Sequence, residues 1–433
     1  MAQSRMSFLD SDASPAQLCA AIGANTRWWY IRTVRVAGGA VLRRPGLLAT
    51  YTPQATDDLA ILFPRLATAR AGEHLDETLA YFRSRRSQSG VLCWSLDPPP
   101  LPDLGARLAA RGFRWGFRPH WMALDLRRLR HEDTLPNVEI GLLARAEVRE
   151  VADLPYYTRA NAAHLDVASR SRPRRLWHVG AWMDGALVGH SVLHLTTGKL
   201  GVGGIFNVGV VPQMRRRGIG AAVTAAACRL ARAHGCRYAV LNATPSGEPV
   251  YRRLGFVSLG EGQIWWLPPA VLAGPPPAPE EVAFAEAIGQ GSVETLEQRF
   301  PHVPVQRLDA PLLNGMLPLQ LAVKTGQQRT AQWLVARGAT LDVLSAWDLG
   351  WKERVPGLLE RSPGMANRRS GEWQATPLHE AALRNDLELA RVVLRADPDL
   401  SIEDGNFHST ALGWAKHFQR AEIVNLLQQH EAG

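Results

Sequence analysis

The chain has 433 residues, too many for one ordinary core, so roughly two to four domains are expected. Apolar residues make up 46% and charged residues 21%, the balance of a soluble globular protein, and 49 Lys+Arg against 40 Asp+Glu leave a net charge of +9. No long basic tract with interleaved aromatics occurs, which argues against nucleic acid as a partner, and no run of about 18 apolar residues occurs, which argues against a membrane span. Cys19, Cys93, Cys228 and Cys236 form no CxxC pair, and no His/Cys cluster has metal-ligand spacing. Reduced thiols in a cytoplasmic protein, with no metal, are the simplest expectation. The opening MAQSRMSFLDSDASP lacks the apolar core of a signal peptide.

In chain order, the first 130 residues are the least explicit. GVLCWSLDPPP from Gly90 reads as a buried strand leaving the core, with the proline cluster Asp97 to Pro102 as a loop. LGARLAARGFRWGFRPHWMALDL then reads as a helix, a Gly-Phe turn and a hairpin. Trp28, Trp29, Tyr30 and Trp115 are expected in strand core rather than around a pocket. A soft break follows at Arg127 to Pro136.

Residues 137–268 alternate between strands and helices. VEIGLLAR is a strand, and AEVREVADLPYYTRANAAHL supplies two short helices. LWHVGAWMDGALVGHSVLHL is a hairpin turning at Asp184-Gly185. IFNVGVV is a strand, GIGAAVTAAACRLARAHG a helix closed by Gly235, and CRYAVLNA a buried strand. GEPVYRRLGF is a short helix ending at Gly255, and a last hairpin carries Trp265 and Trp266. Pro268 to Pro279, PPAVLAGPPPAP, reads as a stiff linker, because proline neither donates to a ladder nor continues a helix.

From 280 to 433 short apolar stripes alternate with turns. ATPLHEAALRNDLELARVVL and TALGWAKHFQRAEIVNLL place threonines at 376 and 410, 34 residues apart. GMLPLQLAVKTGQQRTAQWLVARGATLDV from Gly315 is an earlier relative. EVAFAEAIGQGSVETLEQRF from Glu281 and LSAWDLGWKERVPGLLER from Leu344 are weaker ones. Each reads as helix, turn, helix and loop. TPLHEA, Thr376 to Ala381, matches the ankyrin signature, with threonine as cap and Pro377 at the first helical position.

The chemistry concentrates in VVPQMRRRGIGAAV, Val210 to Val223. A helix starting near Gly218 leaves its first N–H groups unpaired and its dipole positive there, which suits phosphate. Gly218 and Gly220 lack a Cβ, so a diphosphate can approach the backbone, and Arg215, Arg216 and Arg217 add full charges. There is no Gly-Lys-Ser/Thr for a Walker loop and no third glycine for a Rossmann fingerprint.

Arg215-x-x-Gly218-x-Gly220, with Val210-Val211-Pro212 upstream and Val250-Tyr251-Arg252-Arg253-Leu254-Gly255-Phe256 downstream, resembles the GNAT N-acetyltransferase superfamily. Leu108-Ala109-Ala110-Arg111-Gly112-Phe113 resembles the same short helix and turn in a second, degenerate unit. That unit lacks the R-x-x-G-x-G motif and the tyrosine. An unrelated α/β domain is the competing reading of these first residues. The resemblance implies an α/β (α+β) GNAT fold in tandem, a mixed central sheet flanked by helices, followed by an all-α ankyrin repeat solenoid. The domains expected are 1–130, a degenerate GNAT-like unit; 137–268, the catalytic unit; 269–279, the linker; and 280–433, the ankyrin repeats.

By the same resemblance the cosubstrate is acetyl-CoA. Backbone amides from Arg216 through Gly218, Ile219 and Gly220 to Ala221 would hold its pyrophosphate. Val208 and Val210 would pair with the pantetheine arm, the next strand parting from theirs near Asn242. Thr244 stands where relatives often carry an asparagine beside that arm. Tyr251 matches the general acid, since its ordinary pKa of about 10 exceeds a thiol's of about 8.5. Many relatives place a glutamate where Asn207 stands, so the base is open among Glu248, His190, His194, a water relay and an amine that arrives neutral. The implied function is acetyl transfer to an amine on a small molecule or protein. The ankyrin repeats would bind a substrate or protein partner. The alternative is a non-catalytic CoA-binding interaction protein.

Overall fold

The computed structural model describes residues 7–53, 59–85, 89–130, 135–143, 153–371, 373–405 and 407–432. The chain falls into two compact units. One comprises residues 1–102 and 115–276, and the other residues 103–114 and 277–433.

The first unit opens with α1 (Pro15–Val36). Ser14 and Gln17 close a reciprocal capping box, Gln17 N–H on Ser14 Oγ at 3.2 Å and Ser14 N–H on Gln17 Oε1 at 2.9 Å. The alanine-rich sequence that follows sustains the helix through Trp28, Trp29 and Tyr30. These aromatics are therefore helical and not in a strand. Cap and alanines outweigh aromatic β-propensity, which is a weak local preference.

Next come β1 (Ala40–Arg44), β2 (Leu47–Tyr51), β3 (Leu59–Leu62), α2 (Ala71–Ser84), β4 (Val91–Leu96), α3 (Leu104–Ala110), β5 (Arg114–Trp115) and β6 (His120–Asp125). The second half follows with β7 (Glu139–Leu142), α4 (Arg159–Arg170), β8 (Leu176–Met183), β9 (Ala186–Leu195), β10 (Gly203–Val210), α5 (Ile219–Ala233), β11 (Tyr238–Ala243), α6 (Glu248–Leu254), β12 (Val257–Leu267) and α7 (Pro269–Ala273). The first of the two helices expected before Leu165 falls on 144–152, outside the described residues; the second is α4.

Strand neighbours run β1-β2-β3-β4-β12-β6-β11-β10-β9-β8-β7. The two halves repeat one scheme: an antiparallel hairpin, a third antiparallel strand, a helix and a parallel strand. In the first half these are β1, β2, β3, α2 and β4; in the second, β8, β9, β10, α5 and β11. The repetition is the tandem arrangement that the Gly-Phe motifs imply. The halves also exchange strands. β6 from the first lies against β11 of the second, Tyr238↔Asp125 to Ala243↔His120. β12 is one long strand where a hairpin was expected. Val257 to Glu261 pair with β6, and Gly262 to Leu267 pair with β4. The register shifts between Ser258 and Gly260, and Gly260 takes φ 102°, a conformation that favours glycine.

In the second unit, α3 packs on α8 (Pro279–Gln290). A Cβ at Gly289 would lie 2.7 Å from Ala106 Cβ, so the two helices are in close approach. Arg111 bridges Glu286, and Gln290 Nε2 donates to Asp103 Oδ2 at 2.8 Å. The sequence places this segment with the first half; its small buried face, Ala106, Ala109 and Ala110, instead meets α8. The array continues with α9 (Val293–Arg299), α10 (Val305–Leu308), α11 (Pro318–Lys324), α12 (Gln328–Ala336), α13 (Val343–Asp348), α14 (Val355–Arg361), α15 (Pro377–Arg384), α16 (Leu387–Leu394), α17 (Ala411–His417) and α18 (Ala421–Ala432). Each of the repeated sequences is a helix pair. In TPLHEA, Thr376 N–H donates to His379 Nδ1 at 3.2 Å, so the proton sits on Nε2, which donates to Ser409 O at 2.9 Å. The histidine thus ties its repeat to the next.

Candidate active site

The site begins where two strands part. β10 pairs with β11 only through Gly203↔Ala239, Gly204↔Val240 and Ile205↔Leu241. Beyond Ile205, β10 also shifts register against β9, between Phe206 and Gly209. Asn207 sits in this bulge at φ 50°, a left-handed conformation that asparagine tolerates better than most residues. Gly209 is sterically required: Pro155 O would lie 2.7 Å from a Cβ there. Phe206 to Val210 on one side and Leu241 and Asn242 on the other line a cavity of about 990 Å³.

The arginine-glycine turn meets the same cavity. Gly218 precedes α5 at φ 84° and carries no side chain to cap it. The first bond of the helix runs from Ala222 N–H to Gly218 O at 3.0 Å, leaving the earlier N–H groups of Ile219, Gly220 and Ala221 without intrahelical acceptors. A Cβ on Gly220 would meet only Val210 Cγ2, at 3.7 Å. Packing within the protein therefore does not demand glycine there, and the backbone is open on that side. Arg215 and Arg216 line the cavity, while Arg217 does not. All three are exposed, and none forms an ion pair among the described residues. Arg253, which the motif reading passed over, lines the cavity as well.

Tyr251 and Thr244 both line the cavity. Tyr251 is buried on α6, and burial pushes its hydroxyl up to about 12, with the charges of Tyr156 and Cys228 adding to the rise. It stays protonated across the neutral range and can give a proton to a thiolate. Thr244 Oγ1 accepts from Gly247 N–H at 3.2 Å and contacts Ser246 Oγ at 3.2 Å.

The structure does not bring the three base candidates to the cavity. Glu248 turns toward β6, with Oε2 3.4 Å from His120 Nδ1 and Oε1 2.6 Å from Arg252. His190 is fully buried. Its Nε2 donates to Pro155 O at 2.7 Å, and its Nδ1 meets His178 Nε2 at 2.9 Å. Both ring nitrogens are engaged, so neither can take a proton from an acceptor. His194 is buried behind Trp29 and Phe206. Burial lowers His190 to about 4 and His194 to about 3. His190 and His194, four residues apart on β9, share one face of the strand, and that face is packed.

The remaining wall comes from the first half. Ile22, Asn25, Thr26, Trp29 and Tyr30 recur at helical spacing along α1 and present one face to the cavity, joined by Trp94, Phe117 and Trp121. Trp29 stacks on Phe206, centroids 4.3 Å apart and planes within 5°. The sequence signal for this wall was the Ser14-to-Gln17 capping box followed by that spacing. Among the described lining residues there is no Asp, Glu or His, and the charged ones are all arginines.

An uncapped, guanidinium-flanked helix start lies beside a gap between parallel strands, with a protonated tyrosine lining the same cavity, an arrangement that suits an anionic group. The chain carries a domain of the Acetyltransferase (GNAT) family at residues 143–256 and an Ankyrin repeat at residues 373–404. A GCN5-related N-acetyltransferase from Kribbella flavida is similar at 17% identity and TM-score 0.45, over 58% of this chain and 95% of its own. A GCN5-related N-acetyltransferase from Sphaerobacter thermophilus is similar at 17% and 0.41, over 59% and 93%. A tandem GNAT protein from the clavulanic acid biosynthesis pathway is similar at 18% and 0.42, over 62% and 98%. No curated protein matches the chain. The family-level chemistry is acetyl transfer with acetyl-CoA as cosubstrate. No helix among the described residues is long and apolar enough to cross a membrane, and none of their His, Cys, Asp and Glu form a group of three or more placed to hold a metal.

Proposed function

We propose that this protein transfers the acetyl group of acetyl-CoA to an amine nitrogen in the cavity between α1 and the parted strands. The observation that carries the reading is the open start of α5 beside the β10–β11 gap with Tyr251 lining the same cavity. Ile219, Gly220 and Ala221 N–H groups, with Arg215 and Arg216, would hold the diphosphate. The backbone of Val208 and Val210 would align the pantetheine arm as an added strand. Thr244 would flank that arm.

The amine lone pair attacks the thioester carbonyl carbon, forming the C–N bond and breaking the C–S bond. Tyr251 gives its proton to the departing sulfur, the surplus N–H proton leaves to solvent, and Tyr251 takes a proton back from solvent. The ankyrin array offers a surface for a protein partner. Thiol release from acetyl-CoA with a panel of amines tests the reading. Wild type should turn over, and Tyr251→Phe should lose about 10²- to 10⁴-fold in kcat with acetyl-CoA affinity retained. Bound acetyl-CoA with no turnover in wild type for any amine would favour a non-catalytic CoA-binding role.

A further inference from the structure

Resting on the acetyl-transfer reading, we infer that the acceptor is an uncharged aromatic amine, a flat ring bearing an amino group directly on it. Three independent observations point there.

First, the wall is aromatic and continuous. Trp94 meets Tyr30 at 6.1 Å, Phe117 at 5.9 Å and Trp121 at 6.1 Å between centroids. Trp29 and Phe206 form a second, parallel pair, and all six rings line the cavity. Flat apolar faces favour offset or edge contacts with another ring.

Second, the charge is wrong for an ammonium. The charged residues of the described lining are Arg215, Arg216 and Arg253, the first two set against the diphosphate, so no described side chain there carries a negative charge to pair with a cation. An alkylamine, with a pKa like that of lysine near 10.4, arrives as a cation and must also lose a proton before it can attack. The described lining offers no carboxylate and no imidazole for either task. An aromatic amine, whose lone pair is delocalised into its ring, is already neutral at physiological pH. It needs no base before attack.

Third, Asn242 lies on the lining where the strands part, and its Oδ1 is buried with no hydrogen-bond partner. An unsatisfied buried carbonyl is costly, and a turn of this amide toward the cavity would let the N–H of an entering amine satisfy it. That bond would hold the nitrogen at the gap through which the thioester arrives. In the transfer, the aromatic N–C(acetyl) bond forms as the C–S bond breaks, coenzyme A leaves as the thiol with the Tyr251 proton, and the proton lost from the amine nitrogen is made good on Tyr251 through solvent.

The test compares 4-aminobenzamide with phenethylamine as acceptors for the full chain at saturating acetyl-CoA, with calorimetry of acetyl-CoA as a parallel readout. We expect kcat/KM for 4-aminobenzamide to exceed that for phenethylamine by at least about tenfold and to be flat from about pH 6 to 8. Trp94→Leu should raise KM for 4-aminobenzamide at least about tenfold with acetyl-CoA affinity unchanged. Phe117→Ser, at a half-exposed ring, gives a second variant with the same direction. Equal or better turnover of phenethylamine overturns the inference. No turnover of either, with acetyl-CoA still bound, overturns the acceptor class and leaves the acetyl-CoA site standing. Loss of acetyl-CoA binding in wild type removes both.

Discussion

His190 Nε2 donates to the backbone carbonyl of Pro155 across 2.7 Å. Because that nitrogen carries the proton, Nδ1 accepts, and His178 Nε2 donates to it at 2.9 Å. Pro155 and Tyr156 both line the cavity, so a buried relay of two imidazoles fixes part of its wall. Replacing His190 by leucine leaves Pro155 O and His178 Nε2 without partners and should cost about 1–3 kcal/mol of stability. KM for the amine should rise while acetyl-CoA affinity holds, because the wall and not the α5 turn is disturbed. Unchanged unfolding and KM would contradict the role.

The same histidines set an acid limit. Burial lowers His178 to about 3, with the His190 charge adding, and lowers His190 to about 4, against about 6.5 for an exposed histidine. Below about pH 6.5 the unfolded chain takes up protons that the folded chain refuses. Stability should be constant above that pH and fall as pH drops toward 4. Denaturant unfolding at several pH values checks this; a midpoint that does not move between about pH 7 and 4.5 contradicts it. His190→Leu should flatten the dependence.

The arginines of the turn should not be equivalent. Arg215 and Arg216 line the cavity and Arg217 does not. Replacing either of the first two by alanine should weaken acetyl-CoA about three- to tenfold, and less at high salt, since all three are exposed. Arg217→Ala should change affinity less than either. Titrations at two ionic strengths decide; equal losses at all three positions would mean that only net charge matters.

The sequence showed the local elements of the site better than the cavity. Glycines at 218 and 220, the arginines and Tyr251 are local in sequence and carry their own geometry, so the turn, the helix start and the short helix of Tyr251 were legible. The histidines were not. An even spacing places His190 and His194 on one face, but spacing does not say whether that face is open. Packing against Pro155, Trp29 and Phe206 closes it. The aromatic wall was hidden for another reason. It is assembled from α1, β4 and the approach to β6, which lie far along the chain from the β10–β11 gap. α1 docks there directly through Asn25 and Trp29, and the exchange of β6 and β12 between halves joins the sheet of β4 to that of the gap. Trp28 to Tyr30 also carry strong β-propensity, and the cap at Ser14, half a helix away, decides otherwise.

Gly220 gives the most direct test of the central claim, that the bare start of α5 holds the diphosphate of acetyl-CoA. A Cβ there meets only Val210 Cγ2, at 3.7 Å, so Gly220→Ala should fold as well as wild type or slightly better. Calorimetric titration of the full chain with acetyl-CoA should give saturable one-to-one binding in wild type. In Gly220→Ala, with unchanged thermal stability, it should give at least about tenfold weaker binding. Absence of binding in wild type, or equal affinity in the variant, would contradict the claim.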